Sequence, residues 1–558
     1  MVNEEESIRM TGSEMTVRLL EEQGVKHVFS YPGGVVIPLF DAFYRLDHDI
    51  TQIEPCHEQG GVHAADGYAR ASGKVGVAIT TSGPGATNAV TGIANAYLDS
   101  VPLVVITGQV VRSLLGKDSF QEVDVTSVTS QISKHSFLVT DPSMLSATIR
   151  EAFRIARSGR PGPVVVDIPK DIFASEIVYH PKDMSNNFDH KPKARRDALV
   201  RAAEFINNAK KPVIYAGGGV IKSDAAKELT EFAKKTGIPV ANSLMGLGSI
   251  DRDDPLSLGL VGMHGSQECN LAVINSDTLI AVGTRFSDRV TGNINEFMRD
   301  KKIIHIDIDP TEFEKNVATN VHLMADAKDV LTQLTNLVDE ADHSDWLRQI
   351  REWPLPERSS DEYCPKNIIE HINKRYEDAR VVTEVGQHQM WIGQSWRFHY
   401  PGQFITSGGL GTMGFGMGAS IGAQLADPDR DVLLFAGDGS FRMNCNELIT
   451  VRRYDLPIRI FLFDNGALGM VRQWQKLFQD KRYAQTDLNK KHEVNYEKLA
   501  EACGISAYTV TSLEELDDVL DKTAGVREPM LVRCVIDHDE GVYPMVPAGN
   551  PIDELYYE

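Results

Sequence analysis

Residues 431–440, DVLLFAGDGS, begin with a run of buried-strand character and end in small and acidic residues. A helical pattern follows, and a second strand pattern at 458–463 ends in Asp464-Asn465-Gly466. Two strands joined by a helix indicate a parallel α/β sheet, in which ligands bind at the carboxyl ends of the strands. The polar residues of both motifs stand at such ends.

The spacing of these motifs narrows the choice of ligand. Twenty-five residues separate Gly439 from Asn465, and a GDG triplet followed by Asn at that spacing resembles the signature of enzymes that bind thiamine diphosphate with Mg²⁺. Mg²⁺ prefers a few oxygen ligands plus phosphate, and the candidates are the Asp438 carboxylate, the Asn465 amide oxygen and the Ala467 carbonyl. Gly437 and Gly439 let the backbone approach closely. Without the asparagine, the triplet would fit a simple tight turn equally well.

The composition restricts the class of protein. The chain has 558 residues, 42% hydrophobic and 24% charged, and its net charge of -21 argues against nucleic acid or an anionic membrane as a partner. Six cysteines are spread without a CxxC pair, which fits a reducing cytoplasm. The N-terminal MVNEEESIRM shows no signal-peptide pattern, and the longest apolar runs are strand-sized. We therefore expect a cytoplasmic protein without a membrane segment.

Strand and helix patterns alternate along the whole chain. Short β-branched runs followed by helical periodicity predict an α/β fold with doubly wound parallel sheets. Two polar segments that contain proline, 180–195 and 340–365, have the composition of linkers. They divide the chain into three predicted domains, 1–180, 195–340 and 365–558.

The first domain opens with a helix–strand unit. Thr11 and Glu14 form a capping-box pattern that predicts the start of a helix, and Gly24 predicts its end. The strand predicted at 27–30 is followed by Tyr31-Pro32-Gly33-Gly34, which we interpret as a turn at a strand end.

Other residues match positions around the cofactor in thiamine diphosphate enzymes. Glu58 matches the glutamate that hydrogen-bonds N1′ of the aminopyrimidine and thereby promotes removal of the C2 proton. Met413 matches the bulky residue that bends the cofactor between its two rings. The same resemblance implies cofactor contacts for Tyr31, Gly33, Gln387, His388, Gly411, Gly437, Gly439 and Ser440. Taken alone, Glu58 would be a solvated carboxylate in a loop before a helix, and Met413 a core residue.

Many further blocks resemble the acetolactate synthase (acetohydroxyacid synthase) catalytic subunits, and the resemblance covers nearly the whole chain. The blocks include HEQGGVHAADGYARAS from His57, TSGPGATN from Thr81, SGRPGPVVVDIPKD from Ser158, GTRFSDRVTGN from Gly283 and GMVRQWQ from Gly469. The resemblance implies a pyrimidine-binding first domain, a Rossmann-like middle domain and a diphosphate-binding third domain.

Six positions match residues that line this family's substrate channel, flank the reacting carbon or shape the acceptor pocket: Phe120, Gln121, Lys134, Met263, Arg285 and Trp474. The resemblance implies that Phe120 and Trp474 contact substrate and that the other four serve catalysis. Each has a plainer alternative. Phe120 and Trp474 could be ordinary core aromatics, Lys134 a surface charge, and Arg285 a structural ion-pair partner.

The sequence of the middle domain contains two patterns that predict a flavin site. A strand pattern at 212–216 runs into Gly217-Gly218-Gly219, a weak dinucleotide-type signal that is not GxGxxG. The block Arg285–Arg289 resembles the flavin-binding members of the family, in which FAD is structural, and Asp307 matches a further cofactor contact. Ser287 departs from the family's usual Asp, and Asp464 departs from its usual Asn.

The resemblance implies one reaction with three cofactors, thiamine diphosphate, Mg²⁺ and FAD. Pyruvate is decarboxylated, and its two-carbon unit joins a second pyruvate to give 2-acetolactate, or 2-ketobutyrate to give 2-aceto-2-hydroxybutyrate, early steps toward valine, leucine and isoleucine. Glu58 and the GDG motif would come from different subunits of a homodimer or dimer of dimers, and a regulatory small subunit is a further partner. The alternatives are an FAD-dependent pyruvate oxidase, a related thiamine diphosphate carboligase and an inactive regulatory homologue.

Overall fold

The computed structural model describes residues 7–181, 191–354 and 363–557, and three six-stranded parallel sheets follow one another along these parts of the chain. Helices cover each sheet, so the predicted α/β fold with three doubly wound domains is confirmed. Both predicted linkers lie partly outside the described residues. In the part of the chain that is described, no helix is long and apolar enough to cross a membrane.

The first domain has eight strands and eight helices. Its strands are β1 (Ile8–Thr11), β2 (His27–Ser30), β3 (Thr51–Ile53), β4 (Gly76–Thr80), β5 (Leu103–Gln109), β6 (His135–Leu138), β7 (Pro163–Pro169) and β8 (Glu176–Tyr179). Its helices are α1 (Gly12–Glu22), α2 (Ile37–Arg45), α3 (Glu58–Ser72), α4 (Pro84–Asn88), α5 (Val90–Leu98), α6 (Val125–Thr129), α7 (Leu145–Arg157) and α8 (Lys170–Ala174). The sheet order is β3-β2-β4-β5-β7-β6, and β1 pairs with β8 as a separate antiparallel ribbon.

The middle domain has six strands and eight helices. Its strands are β9 (Pro212–Ala216), β10 (Val240–Asn242), β11 (Ser257–Leu260), β12 (Thr278–Val282), β13 (Lys302–Asp307) and β14 (Val321–Met324). Its helices are α9 (Arg196–Asn207), α10 (Gly218–Lys222), α11 (Ala226–Thr236), α12 (Gln267–Ile274), α13 (Asp288–Thr291), α14 (Ile294–Met298), α15 (Ala327–Leu337) and α16 (Ser344–Arg351). The order β11-β10-β9-β12-β13-β14 reverses direction beside β9, as in a Rossmann fold.

The third domain repeats this architecture. Its strands are β15 (Arg380–Thr383), β16 (Phe404–Ile405), β17 (Val432–Gly437), β18 (Arg459–Asp464), β19 (Ser506–Val510) and β20 (Met530–Val535), in the order β16-β15-β17-β18-β20-β19. Its helices are α17 (Pro365–Arg375), α18 (Gln387–Ser395), α19 (Phe415–Ala426), α20 (Asp438–Asn444), α21 (Leu448–Arg453), α22 (Gly469–Phe478), α23 (Tyr496–Ala502) and α24 (Leu513–Lys522). Across the three domains, short 3-10 turns lie at Arg112–Leu114, Pro142–Met144, Leu244–Gly246, Pro310–Glu312 and Cys445–Glu447.

Local sequence signals act as predicted at the start of the chain. The Thr11 side chain accepts the Glu14 N–H at 3.3 Å, and the Glu14 carboxylate accepts the Thr11 N–H at 2.8 Å, which completes the capping box. Gly24 follows the end of α1 with a φ of 72°, a left-handed conformation that favours glycine. The strands β2 and β9 coincide with their predicted ranges.

Part of the segment predicted as the second linker is helical. Helix α16 lies within 340–365, and its Trp346 and Ile350 are buried in the core of the middle domain. The many charges of α16 hid this signal, because a helix that buries only two large side chains resembles a polar linker in composition.

Helices α3 and α19 join the first domain to the third by a close crossing. A Cβ built on Gly418 would lie 2.5 Å from the Gly60 carbonyl oxygen, and one built on Gly422 would lie 1.8 Å from that of Ala64. Only glycine permits this backbone approach. The crossing matters for the site, because α3 begins at Glu58 and α19 begins two residues after Met413.

Candidate active site

The GDG motif lies where β17 meets α20. Asp438 is the first residue of α20, its side chain is buried, and its Oδ2 has no hydrogen-bond partner among the described residues. Burial raises the pKa of Asp438, and the nearby Asp464 carboxylate raises it further. A buried carboxylate oxygen without a partner is costly, and a divalent cation would offset that cost. This oxygen therefore fits the predicted metal site.

The other predicted metal ligands follow the neighbouring strand. Asn465 and Ala467 come directly after β18, which pairs in parallel with β17, so their carboxyl ends share one edge of the sheet. The Asn465 side-chain oxygen accepts the Ala467 N–H at 3.1 Å, and its amide nitrogen donates to Gln387 Oε1 at 3.2 Å. The structure thus brings Asn465, Ala467 and Gln387 together beside the GDG motif.

His388 also faces this motif. A Cβ on Gly437 would lie 2.8 Å from His388 Nδ1, which explains why glycine stands there. Burial lowers the pKa of His388 to about 3, so its ring is neutral near pH 7, and its Nε2 has no partner among the described residues. Ser440 donates its hydroxyl to the Gly437 carbonyl at 3.1 Å. The unpartnered ring nitrogen of His388 is therefore available to a ligand such as a diphosphate.

Met413 also lies close to this motif. Its terminal methyl is 3.8 Å from a Cβ built on Gly439, and Gly414 follows it with a φ of 87°. The buried Glu384 carboxylate accepts the Gly414 N–H at 2.7 Å, and burial raises the pKa of Glu384 to about 7. Glu384 thereby fixes the backbone directly after Met413.

Glu58 belongs to a second cluster, at the carboxyl edge of the first sheet. It is the first residue of α3 and not a loop residue as predicted, because His57 caps the helix by accepting the Gln59 N–H at 3.1 Å. Glu58 Oε2 accepts the Asn88 side-chain N–H at 2.9 Å. Its Oε1 lies 3.0 Å from a Cβ built on Gly85, so a larger residue there would displace the carboxylate.

The turn after β2 lies beside this cluster. A Cβ on Gly33 would be 2.4 Å from the Thr81 side chain, and Thr81 in turn contacts the Gly85 position. The Tyr31 N–H donates to the Ile79 carbonyl at 3.0 Å, which fixes the turn against the end of β4. Tyr31, Gly33 and Glu58 are therefore brought together.

The predicted channel residues occupy two different settings. The Gln121 backbone, with a φ of 60°, lies against Gly83, and its neighbour Phe120 is 88% exposed. The Lys134 ammonium group instead donates hydrogen bonds to the carbonyls of Ile155 and Ser158, at 2.5 and 2.6 Å, near the end of α7. This contact satisfies carbonyls at a helix C-terminus, a structural role. A catalytic role for Lys134 stays a prediction.

A cavity of about 760 Å³ gathers a third group of predicted residues. Its lining includes Gly217, Gly218, Met263, Arg285, Asp307, Gly411 and Trp474. All three domains contribute to the wall, and the middle domain contributes most of it. The volume falls within the usual range for ligand sites.

The cavity lies at the carboxyl edge of the middle sheet, beside the reversal in strand order. Gly217 follows β9 and Gly283 follows β12, and a Cβ on Gly217 would lie 2.2 Å from the Gly283 carbonyl oxygen. Burial raises the pKa of Asp307, at the end of β13, to about 6 and lowers that of Lys222 to about 8. This location is where dinucleotides bind in such sheets, and the glycine-lined walls fit one.

Several lining residues were not predicted. Ser243, Gly283 and Ala325 also follow strands of the middle sheet, so a search of every strand end would have found them. Arg160 of the first domain carried no such signal. It enters the cavity wall and pairs with Glu312 at 2.8 Å.

Comparisons with known families assign the three domains. Residues 10–128 match the thiamine pyrophosphate enzyme N-terminal TPP binding domain, residues 199–334 the central domain, and residues 384–534 the C-terminal TPP binding domain. The protein is therefore an enzyme that depends on thiamine diphosphate.

Full-length relatives narrow the family. The chain is 43% identical to the probable acetolactate synthase large subunit of Methanocaldococcus jannaschii, with 98% of this chain and 95% of the relative aligned. It is also 43% identical to the acetolactate synthase isozyme 2 large subunit of Escherichia coli K12 (98% and 99% aligned) and to acetolactate synthase 2, chloroplastic, of Nicotiana tabacum (98% and 85%). With this identity over almost its entire length, the chain belongs to the acetolactate synthase large-subunit family of thiamine diphosphate enzymes.

Proposed function

We propose that the protein decarboxylates pyruvate and transfers the two-carbon unit to a second 2-keto acid, so that two pyruvates give 2-acetolactate and pyruvate with 2-ketobutyrate gives 2-aceto-2-hydroxybutyrate. The observation that carries this proposal is the buried Asp438 oxygen without a partner, at the strand edge that Asn465 shares. Full-length relatives named acetolactate synthase favour this reaction over the pyruvate oxidase alternative.

The third domain would hold the diphosphate and its metal. The Asp438 carboxylate, the Asn465 amide oxygen and the Ala467 carbonyl would be Mg²⁺ ligands. Gln387, His388 and Ser440 would contact the diphosphate, and Gly437 and Gly439 let the side chains of His388 and Leu468 pack against the motif. Thiamine diphosphate, when bound, supplies the electron sink that decarboxylation of a 2-keto acid requires.

The first domain would supply the proton acceptor. Glu58 Oε2 already accepts a hydrogen bond from the Asn88 side chain. Oε1 is therefore the oxygen that would form a hydrogen bond with an aminopyrimidine nitrogen. Burial of the Glu58 side chain (9% exposed) strengthens such a hydrogen bond, because water does not compete for it. Tyr31 and Gly33 would border the same ring.

A second copy of the chain would complete this half of the site. Phe120, Tyr44 and Ile37 on the first domain are 88%, 90% and 60% exposed. Burying such a side chain contributes roughly 1.5–3 kcal/mol, so these residues favour a covered interface. Glu58 of one chain would then lie near the GDG motif of the other chain, in a homodimer or dimer of dimers. A regulatory small subunit is a further proposed partner, because the relatives are named large subunits.

FAD would occupy the middle-domain cavity. Gly217 lies against the Gly283 backbone and the Thr284 side chain, and Arg285 and Asp307 also line this cavity. Ser287, at the Asp position of the family pattern, caps α13 by accepting the Arg289 N–H at 3.3 Å. We assign the flavin a structural role.

The acceptor would bind where α22 meets the cavity. Met470 and Trp474 are four residues apart on this helix, and both line the wall, as Met263 does from the middle domain. Gln121 and Arg285 are the remaining candidates for contact with the reacting groups. Their roles rest on the family pattern.

Product analysis tests the proposal. Protein supplied with thiamine diphosphate, Mg²⁺ and FAD is given pyruvate alone and then pyruvate with 2-ketobutyrate. We expect 2-acetolactate in the first case and both acetohydroxy acids in the second, with a flavin absorption spectrum that pyruvate does not bleach in step with turnover. Peroxide or reduced quinone in stoichiometric yield would identify an oxidase instead, and full activity in colourless protein would refute the FAD assignment.

A further inference from the structure

One loop of the third domain lies between the 760 Å³ cavity, which is the proposed FAD site, and the GDG motif. We define the glycine loop as Ser407–Thr412 (SGGLGT). Its residues from Ser407 to Gly411 line the cavity. Thr412 leads directly into Met413, whose methyl group packs toward Gly439 of the GDG motif. A shift of this loop would therefore alter both sites.

The first domain holds this loop through Asp99, just after α5. Asp99 Oδ2 accepts the Gly408 N–H at 3.1 Å, and its Oδ1 accepts the Gly409 N–H at 2.6 Å. The side chain is 1% exposed, and its charge is balanced by Arg70 at 2.9 Å. Hydrogen bonds from two consecutive backbone N–H groups to one carboxylate fix the path of the chain at Gly408 and Gly409.

A second first-domain residue fastens both ends of the loop. Asn95 Oδ1 accepts the Ser407 hydroxyl at 2.6 Å and the Thr412 hydroxyl at 3.1 Å. Within the loop, the Thr412 N–H donates to Ser407 Oγ at 2.8 Å, which closes it into a ring. We call Asp99 and Asn95 the clamp. Both are buried, and the Asp66 carboxylate supports them by accepting N–H groups of both Arg70 and Asn95.

The clamp has a consequence for ligand binding. Three of the six loop residues are glycine, and a free loop of this composition would populate many conformations. If the loop is already ordered, each ligand binds without the free-energy cost of ordering it, so the two ligands bind independently. If the loop is disordered, the first ligand to bind bears that cost and the second does not, so the two ligands bind cooperatively.

We propose that Asp99 is a positioning residue that holds the glycine loop in the one conformation that serves both cofactor sites, so that its loss makes FAD and thiamine diphosphate binding mutually dependent. This inference rests on the proposed function, since it requires that both cofactors bind. It assigns Asp99 no contact with the reacting atoms.

Flavin fluorescence titration of protein stripped of its cofactors tests the inference. In wild type, we expect the FAD dissociation constant to change by less than about twofold when thiamine diphosphate and Mg²⁺ are added. In Asp99→Asn, FAD alone should bind about tenfold more weakly, and thiamine diphosphate with Mg²⁺ should restore most of that loss. Linkage requires the same factor when thiamine diphosphate is titrated with and without FAD.

Gly409→Ala provides an independent route to the same state. A Cβ on Gly409 would lie 2.7 Å from Asp99 Oδ1, so this variant displaces the carboxylate and keeps the charge balance with Arg70. It should show the same cooperativity. Asp521→Asn, which alters an exposed carboxylate paired with Arg375, is the matched control and should behave as wild type.

The outcomes are distinguishable. Weaker FAD binding that thiamine diphosphate does not relieve would mean that Asp99 only contacts the nucleotide or supports the fold, and the inference would be overturned. Unchanged FAD binding in both variants would overturn it as well. Failure of wild-type protein to bind either cofactor would instead refute the proposed function, before any variant is compared.

Discussion

The crossing of α3 and α19 gives a prediction in which two effects oppose each other. Replacing Gly422 by Ala in the middle of a helix normally stabilises it by about 1 kcal/mol, because alanine loses less conformational freedom on folding. Here the new Cβ would lie 1.8 Å from the Ala64 carbonyl oxygen, whereas ordinary contact begins near 3.4 Å. Neither partner can move as a flexible side chain does, because both atoms are attached directly to helix backbone.

The steric effect should win. To restore contact, the helices must separate by about 1.6 Å at this point, which opens a gap on both sides and forfeits much of the local dispersion energy. Overpacking of this kind costs about 1–3 kcal/mol and occasionally more, so we expect a net loss of about 2 kcal/mol for Gly422→Ala. At about 2–4 °C per kcal/mol for a domain of this size, the unfolding temperature should fall by about 4–8 °C.

The same displacement should reach the chemistry. Helix α3 begins at Glu58, and α19 begins just after Met413, so separation of the two helices shifts Glu58 and Met413 within the chain, and each would then enter its proposed intersubunit site from a displaced position. A misplacement of about 1 Å can reduce turnover by about 10²-fold. The assays are calorimetric unfolding and initial rates of acetolactate formation.

Gly34→Ala is the control for unfolding, because no atom lies within 4 Å of a Cβ built there. It should leave the unfolding temperature within about 2 °C of wild type, since surface changes rarely exceed about 0.5 kcal/mol. An unfolding temperature for Gly422→Ala at or above that of wild type would refute the reasoning, since helix propensity would then have outweighed the contact.

Four further predictions concern single side chains. Glu58→Gln should slow C2–H exchange of bound thiamine diphosphate by about 10²–10⁴-fold, and exchange at the wild-type rate would exclude its role as proton acceptor. Asp438→Ala should lose thiamine diphosphate on gel filtration and recover it only partly in excess Mg²⁺, whereas wild-type affinity would contradict metal coordination. Trp474→Leu should still make acetolactate but lose its preference for 2-ketobutyrate over pyruvate in a competition assay, a change of at most about 1–3 kcal/mol, and an unchanged product ratio would make Trp474 a core residue only. Burial raises the pKa of Asp167 to about 7 from 3.8, so its contribution to stability, about 4 kcal/mol, is present below pH 3.8 and lost as the pH rises through 7. Asp167→Asn should therefore show a smaller fall in unfolding temperature between pH 5 and 8 than wild type, and parallel curves would refute this.

Much of the third domain could be predicted, because its signals are local. The GDG motif comes directly at the end of β17. The spacing from this motif to Asn465 leaves room for one helix and one further strand, and that strand, β18, is the neighbour of β17 in the sheet. A parallel sheet brings consecutive strand ends to one edge, so adjacency in sequence becomes adjacency in space. The first helix was predictable for the same reason, since both partners of its capping box lie within one turn.

The long-range contacts were not predictable from single residues. Asp99 meets Gly409 across 310 positions, and nothing in the local sequence of either residue indicates the other. Lys134 is a different case. Its match to a channel residue predicts a functional role, which stays a prediction, and nothing in its local sequence indicates that its ammonium group donates to the carbonyls of Ile155 and Ser158 near the end of α7.

The departure at Asp464 adds a carboxylate beside the proposed metal site, and neighbouring residues of the fold form hydrogen bonds with it. Arg533 lies on β20, next to β18, and donates to Asp464 Oδ2 at 2.6 Å, while Asp464 Oδ1 accepts the Gly466 N–H at 3.1 Å. Both oxygens are thus occupied, and the guanidinium balances the charge. Asp438 is then the carboxylate that remains available to a cation, as it would be if an amide stood at 464. The structure therefore engages both Asp464 oxygens within the fold, and we expect Asp438 to be the carboxylate that a Mg²⁺ ion would contact.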